Sequence, residues 1–284
     1  MRQRGPWWRS VVLTGASGGI GRALAAELAS NRVTMLLLGR DEGRLEAAAE
    51  GARAAGADVR TALADVTDRA AMEAILLEAD SRSPIDLVVA NAGRSLGTPP
   101  GGGPIEPAGA LETMAAVNLV GAANTVEPLL APMRARGHGG LVLMGSLAGQ
   151  RPLPDMPAYS ASKAGLRAWA TALRGALAAD GIGVMHVSAG FVTSPMSARH
   201  LGPRPFEVSA EAAARRIRSG LERGVSTLAF PWPLAAMAWC GARLPPALSD
   251  LAIRPFAARI APEEREEAGA STTRPAVSKA GGAG

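Results

Sequence analysis

The chain has one cysteine, Cys240, so no intrachain disulfide can form and no cysteine cluster can hold zinc. This scarcity fits a reducing compartment, and a cytoplasmic protein is expected. Aromatic residues make up only 4% of the 284 positions, and tyrosine occurs once, as Tyr159. Lysine is almost missing too, standing only at 163 and 279 among cations that are otherwise arginine. No uninterrupted apolar run reaches 18 residues, so no membrane-spanning helix is expected. The N-terminal segment carries positive charge but no apolar stretch of signal-peptide length ahead of Gly15, and 1–9 reads as a short arm. His138, His186 and His200 lack metal-ligand spacing, and no metal is required.

What is present is enough to build a large core, since 48% of the residues are apolar. The net charge of +5 comes from scattered arginines that meet no aromatic-rich basic stripe, which argues against nucleic acid as a partner. Short β-branched or leucine-rich runs at 11–14, 33–38, 58–63, 87–90, 141–144, 184–187 and 226–230 alternate with alanine-rich helical stretches. The helices are expected near 19–30, 42–55, 68–79, 110–134, 158–180 and 208–223. Strands alternating with helices give an α/β fold, a Rossmann-type doubly wound parallel sheet of about seven strands over 10–230. Residues 97–103 are rich in Pro and Gly and read as a loop. Beyond Phe230 an apolar extension, 231–261, is broken by Pro245-Pro246 into two short helices. The stretch 262–284 is acidic and then rich in small residues, a composition that predicts a disordered tail.

Two motifs carry chemistry. Thr14-Gly15-Ala16-Ser17-Gly18-Gly19-Ile20-Gly21 follows an apolar strand and opens a helix. Gly15 permits a tight turn, Gly19 and Gly21 permit close approach, and the helix N-terminus offers free N–H groups to a pyrophosphate. Tyr159 and Lys163 stand at i and i+4 on one helical face, and Leu166, Ala170, Leu173 and Leu177 continue the same stripe inward. A cation beside a buried phenol stabilises the phenolate and lowers its pKa towards the range useful for acid–base work.

The spacing Gly15-x-x-x-Gly19-x-Gly21 together with Tyr159-x-x-x-Lys163 resembles the short-chain dehydrogenase/reductase family, and the resemblance covers about residues 10–230. It implies hydride transfer between a nicotinamide and a carbonyl or alcohol substrate, with Tyr159 as general acid/base. Lys163 would bind the nicotinamide ribose and lower the Tyr159 pKa, Ser146 would stabilise charge on the substrate oxygen, and Asn118 would help hold a water linked to the lysine. Ser17 and Ile20 belong to the implied phosphate loop, Asp65 and Val66 to the adenine contact, and Asn91, Ala92 and Gly93 to the segment lying along the cofactor. Asp65 reads equally as a helix cap ahead of Asp68. Gly190, Val192 and Ser194 match the segment beside the nicotinamide, with Ala189 where proline is usual and Ser194 where threonine is usual.

Where the family often has an acidic residue for the NAD ribose, this chain has Gly39 followed by Arg40. An arginine can clamp a 2′-phosphate through a fork of donors, so NADP is favoured over NAD. The alternatives are an NAD-dependent alcohol dehydrogenase of the same fold, or a dinucleotide-binding sensor or scaffold without turnover. The pocket lid is expected at 194–207, where Met196, Leu201 and Phe206 suit an apolar carbonyl compound. The extension is expected to be a helical cap on the pocket or on a neighbouring subunit of a homo-oligomer, with peripheral membrane contact through 231–259 as the other reading.

Overall fold

Seven strands pair in parallel in the order β3-β2-β1-β4-β5-β6-β7 in a computed structural model that describes residues 6–98, 105–253 and 260–261. They are β1 (Ser10–Thr14), β2 (Thr34–Gly39), β3 (Asp58–Leu63), β4 (Leu87–Ala90), β5 (Gly139–Ser146), β6 (Ile182–Ala189) and β7 (Thr227–Phe230). The central strands read as unbroken apolar runs because helices cover both faces of the sheet. Val12, for example, sits in register between Leu36 of β2 and Val88 of β4. Strand order reverses between β1 and β4, and ligands of such sheets bind in the crevice at that switch point.

One face is covered by α1 (Gly19–Leu28), α2 (Glu42–Ala54) and α8 (Ala210–Glu222), whose Leu24, Leu45 and Ile217 join one apolar cluster. The other is covered by α3 (Arg69–Arg82), α5 (Gly121–Arg136) and α6 (Pro157–Leu177), through Leu76, Leu129 and Leu166. Each such leucine stabilises the fold by about 1.5–3 kcal/mol through burial. Asp41, Asp68 and Ser209 cap α2, α3 and α8, each accepting a hydrogen bond from a first-turn backbone N–H.

The helix expected near 110–134 is not regular. It runs as α4 (Ala110–Ala115), a π-helical turn over Ala116–Val120, and then α5. By length and composition this rod could cross a membrane. Val126, Leu129 and Met133 are instead fully buried against the sheet, which makes it a core helix.

Trp8, at the end of the N-terminal segment, is buried and donates its indole N–H to the Leu28 carbonyl (3.3 Å). After β6 comes a single turn, α7 (Pro195–Ala198), and after β7 the short helices α9 (Trp232–Gly241) and α10 (Pro246–Ile253), interrupted at the two prolines as the sequence predicts. Ile260 returns to the body, where its carbonyl accepts from the Thr98 backbone N–H (2.9 Å) and hydroxyl (3.1 Å). The expected tail 262–284 and most of the loop 97–103 lie outside the described residues.

Candidate active site

The carboxyl ends of the strands open onto a cavity of about 1010 Å³, into which the β1–α1 turn, the end of β2, the segments after β4, β5 and β6, and α9 all project. Its floor is the glycine turn. Gly15 has φ +64, and a Cβ there would lie 2.8 Å from Cα of Ala92. A Cβ on Gly21 would lie 2.1 Å from the Gly15 carbonyl oxygen, so only glycine lets the helix start this close to the turn. Asn91 holds the turn to β4, its side-chain NH₂ donating to the carbonyls of Thr14 (3.1 Å) and Gly15 (3.0 Å). No side chain caps α1, whose first residues Gly19, Ile20 and Gly21 line the cavity together with Ser17. An uncapped helix N-terminus lined by glycine fits a phosphate group.

Arg40 stands exposed at the carboxyl end of β2 and lines the same end of the cavity, with Arg44 beside it. Asp65 and Val66 border it as well. The Asp65 carboxylate accepts from the Thr67 backbone N–H (2.8 Å) and hydroxyl (2.7 Å). Burial raises its pKa, but these hydrogen bonds and the nearby charges of Arg40 and Arg94 outweigh that and leave it below the ordinary value. The cap of α3 is Asp68, not Asp65, so Asp65 is free of that duty and its place is the cavity rim.

Ser146, Tyr159 and Lys163 meet at the other end. Lys163 is buried and donates from Nζ to the Met144 carbonyl (2.8 Å), with Nζ 5.9 Å from the Tyr159 ring centroid. Burial lowers its pKa to about 8. Tyr159 departs from the sequence expectation. Burial, and then the Glu106 charge, raise its pKa above 10 despite an opposing hydrogen bond with Ser146. The net direction is therefore opposite to the lowering expected from Lys163, because burial of the phenol dominates. The Ser146 hydroxyl oxygen is oriented by the Ala148 N–H (3.2 Å).

Asn118 lies in the middle of the π-helical turn and is fully buried. Its Oδ1 accepts from the Arg94 N–H (2.8 Å), and its Nδ2 donates to the Arg94 carbonyl (3.1 Å) and to Ser162 Oγ (3.0 Å). Its side chain therefore fixes the chain after Gly93 against α6, beside Lys163. Ala92, Gly93, Gly190, Val192 and Ser194 also line the cavity, and Ser194 starts α7 through a reciprocal capping pair with Ser197.

The lid expectation is corrected in part. Met196 lines the cavity, but Leu201 and Phe206 are 69% and 54% exposed and point elsewhere. The apolar wall comes instead from Leu234, Met237, Ala238 and Leu244 of the C-terminal extension. Gly190 packs directly on it, since a Cβ there would lie 3.0 Å from both Leu234 and Pro231.

One residue was invisible in the sequence. Glu106 is buried, and its carboxylate accepts from the backbone N–H of Ala158 (2.6 Å) and of Tyr159 (3.2 Å). Met156, at the N-cap position of α6, gives no side-chain cap. A carboxylate 53 positions upstream of Tyr159 does so instead, and no local pattern announces it.

Comparison with known proteins bears on the family and the fold. A family described as short chain dehydrogenase matches residues 9–202. An uncharacterised oxidoreductase of Myxococcus xanthus is 38% identical over 250 residues, covering 87% of this chain and 97% of that protein. A ketoacyl reductase, HetN, of Nostoc sp. is 33% identical over 187 residues, covering 65% of this chain and 64% of its own. The crystal structure of an actinorhodin polyketide ketoreductase variant with NADPH superposes with a TM-score of 0.72 at 25% identity, covering 80% of this chain and 97% of the other.

Proposed function

The chain belongs to the short-chain dehydrogenase/reductase family, and on that premise we propose that it is an NADP(H)-dependent reductase of apolar carbonyl compounds, with Tyr159 as the proton donor. The observation that carries this reading is one cavity with Arg40 and the glycine turn at one end and Ser146, Tyr159 and Lys163 at the other. A dinucleotide would lie between them. Its phosphates would rest on the N-terminus of α1, its adenosine beside Arg40, Asp65 and Val66, and its nicotinamide ribose near Lys163. When bound, the reduced nicotinamide supplies the hydride.

The chain's own residues do the rest. A phenol held above its ordinary pKa is protonated at neutral pH, the state from which it can give a proton to a substrate oxygen. Ser146 supplies a second hydrogen bond to that oxygen as negative charge develops on it. Lys163, charged below about pH 8, offsets the phenolate left behind. Leu234, Met237 and Leu244 exclude water and favour an apolar substrate body. The presence of all three chemical residues sets this reading above a binding protein without turnover.

Cofactor choice rests on Arg40, because Gly39 brings no carboxylate to the ribose. Arg40→Ala is expected to weaken NADPH by about ten- to a hundredfold while barely changing NADH, the range for a charge-assisted hydrogen bond. Titrating both cofactors against parent and variant decides it. Equal weakening of the two, or a parent that prefers NADH, would reject the assignment. Substrate class is read by following NADPH consumption over a panel of aldehydes, ketones and acyl thioesters.

A further inference from the structure

Helix α9 contains no charged side chain, and its polar groups are confined to two tryptophans and Cys240. A helix apolar all round is ordinarily buried in a core or seated in lipid, yet none of its residues is buried. One flank, Leu234, Met237, Ala238 and Gly241, faces the cavity at i, i+3, i+4 and i+7. The opposite flank presents Trp232 (78% exposed) and Trp239 (52%), and the adjoining α10 presents Leu248 (54%) and Leu251 (59%). This outer face is too apolar to be ordinary surface.

Its charges select the occupant. Arg243 stacks on Trp239, its guanidinium carbon 3.6 Å from the ring centroid. Between 231 and 261 the cations are Arg243, Arg254 and Arg259, and the one acid is Asp250, already paired with Arg151 at 2.9 Å. Among the described residues no carboxylate is paired with Arg243, and a second copy of the same face would bring it none. Anionic headgroups supply the missing negative charge, and tryptophan is suited to the boundary between headgroups and acyl chains.

We infer that α9 and α10 form a peripheral docking face for an anionic bilayer surface, with Trp232, Trp239, Leu248 and Leu251 entering the headgroup–acyl boundary and Arg243 on the lipid phosphates. The test is flotation of the full chain with vesicles of phosphatidylglycerol and phosphatidylcholine, or of phosphatidylcholine alone. The parent should float with the anionic vesicles, less so as salt rises. The double substitution Trp232→Ser, Trp239→Ser should weaken this about tenfold or more with an unchanged melting temperature. Arg243→Ser should weaken it about fivefold, on anionic vesicles only. Absence of flotation on anionic vesicles overturns the proposal, as does a double variant that floats like the parent. So does a parent that self-associates in sedimentation velocity without binding vesicles and is dispersed by the same double substitution, which would make the face a contact between copies.

Discussion

His186 shows how much a single buried group can set. It lies on β6 with only Ser188 Oγ near Nδ1 (3.4 Å), and its Nε2 has no hydrogen-bond partner. Gly145 on β5 leaves it room, since a Cβ there would lie 2.2 Å from Nε2. Burial, reinforced by the charges of Arg167 and Lys163, lowers its pKa from 6.5 to about 4. Between those values the unfolded chain takes up the proton and the folded one does not. Stability should therefore be full above about pH 6.5 and fall by about 3 kcal/mol on the way to pH 4. Urea denaturation at pH 7 and 4.5, on the parent and on His186→Asn, checks this, and the variant should show a flatter dependence. Equal losses in both would assign the acid sensitivity to other groups. None of this was legible in the sequence, where His186 is one imidazole in an apolar run. The pairing of Tyr159 with Lys163 was legible because its spacing is local, and Ser146 was marked only through the family resemblance.

Elements were legible wherever their cause was local too. All seven strands, and the helices on both faces of the sheet, follow from the alternation of apolar runs with alanine-rich stretches. The π-helical turn at Asn118 escaped, because one extra residue per turn reflects a hydrogen-bond register fixed by packing, and the sequence carries no mark of it. The start of α6 escaped for a similar reason, since its cap is tertiary. On the proposed function, Glu106 would act on the reaction through that helix, as a positioning residue for Tyr159. Glu106→Ala should remove about 0.5–2 kcal/mol of stability and lower kcat with little change in NADPH affinity. Glu106→Gln should restore much of the cap. Both remove a negative charge that raises the Tyr159 pKa, so the step of the pH–rate profile that belongs to Tyr159, above the one near pH 8 from Lys163, should move to lower pH. A stability loss with an unmoved pH profile would leave Glu106 a structural cap only.

At the scale of the molecule, the extension beyond the sheet completes the cavity. Its apolar composition was plain in the sequence, but which flank would meet the substrate depended on how α9 crosses the end of β6, and Gly190 sets that approach. Ile260 then fastens the chain's return. It bridges His200 and lines the cavity, while Ala261 donates to the Arg199 carbonyl (2.7 Å). Ending the chain at Ile253 should lower the melting temperature by several degrees and raise KM for apolar carbonyl compounds. Ending it at Ala261 should change neither. Differential scanning fluorimetry and steady-state kinetics on the two truncations separate these outcomes, and equal behaviour of both would remove Ile260 from the cavity's support.

The assignment of the proton to Tyr159 joins these scales, and Tyr159→Phe tests it most directly because only one hydroxyl is removed. Single-turnover oxidation of bound NADPH should be followed in parent and variant with a carbonyl substrate that the parent reduces. The expected result is a rate lower by about 10²–10⁴-fold, with NADPH affinity within about twofold of the parent's. A variant that keeps its rate within about threefold would place the proton donor elsewhere in the cavity.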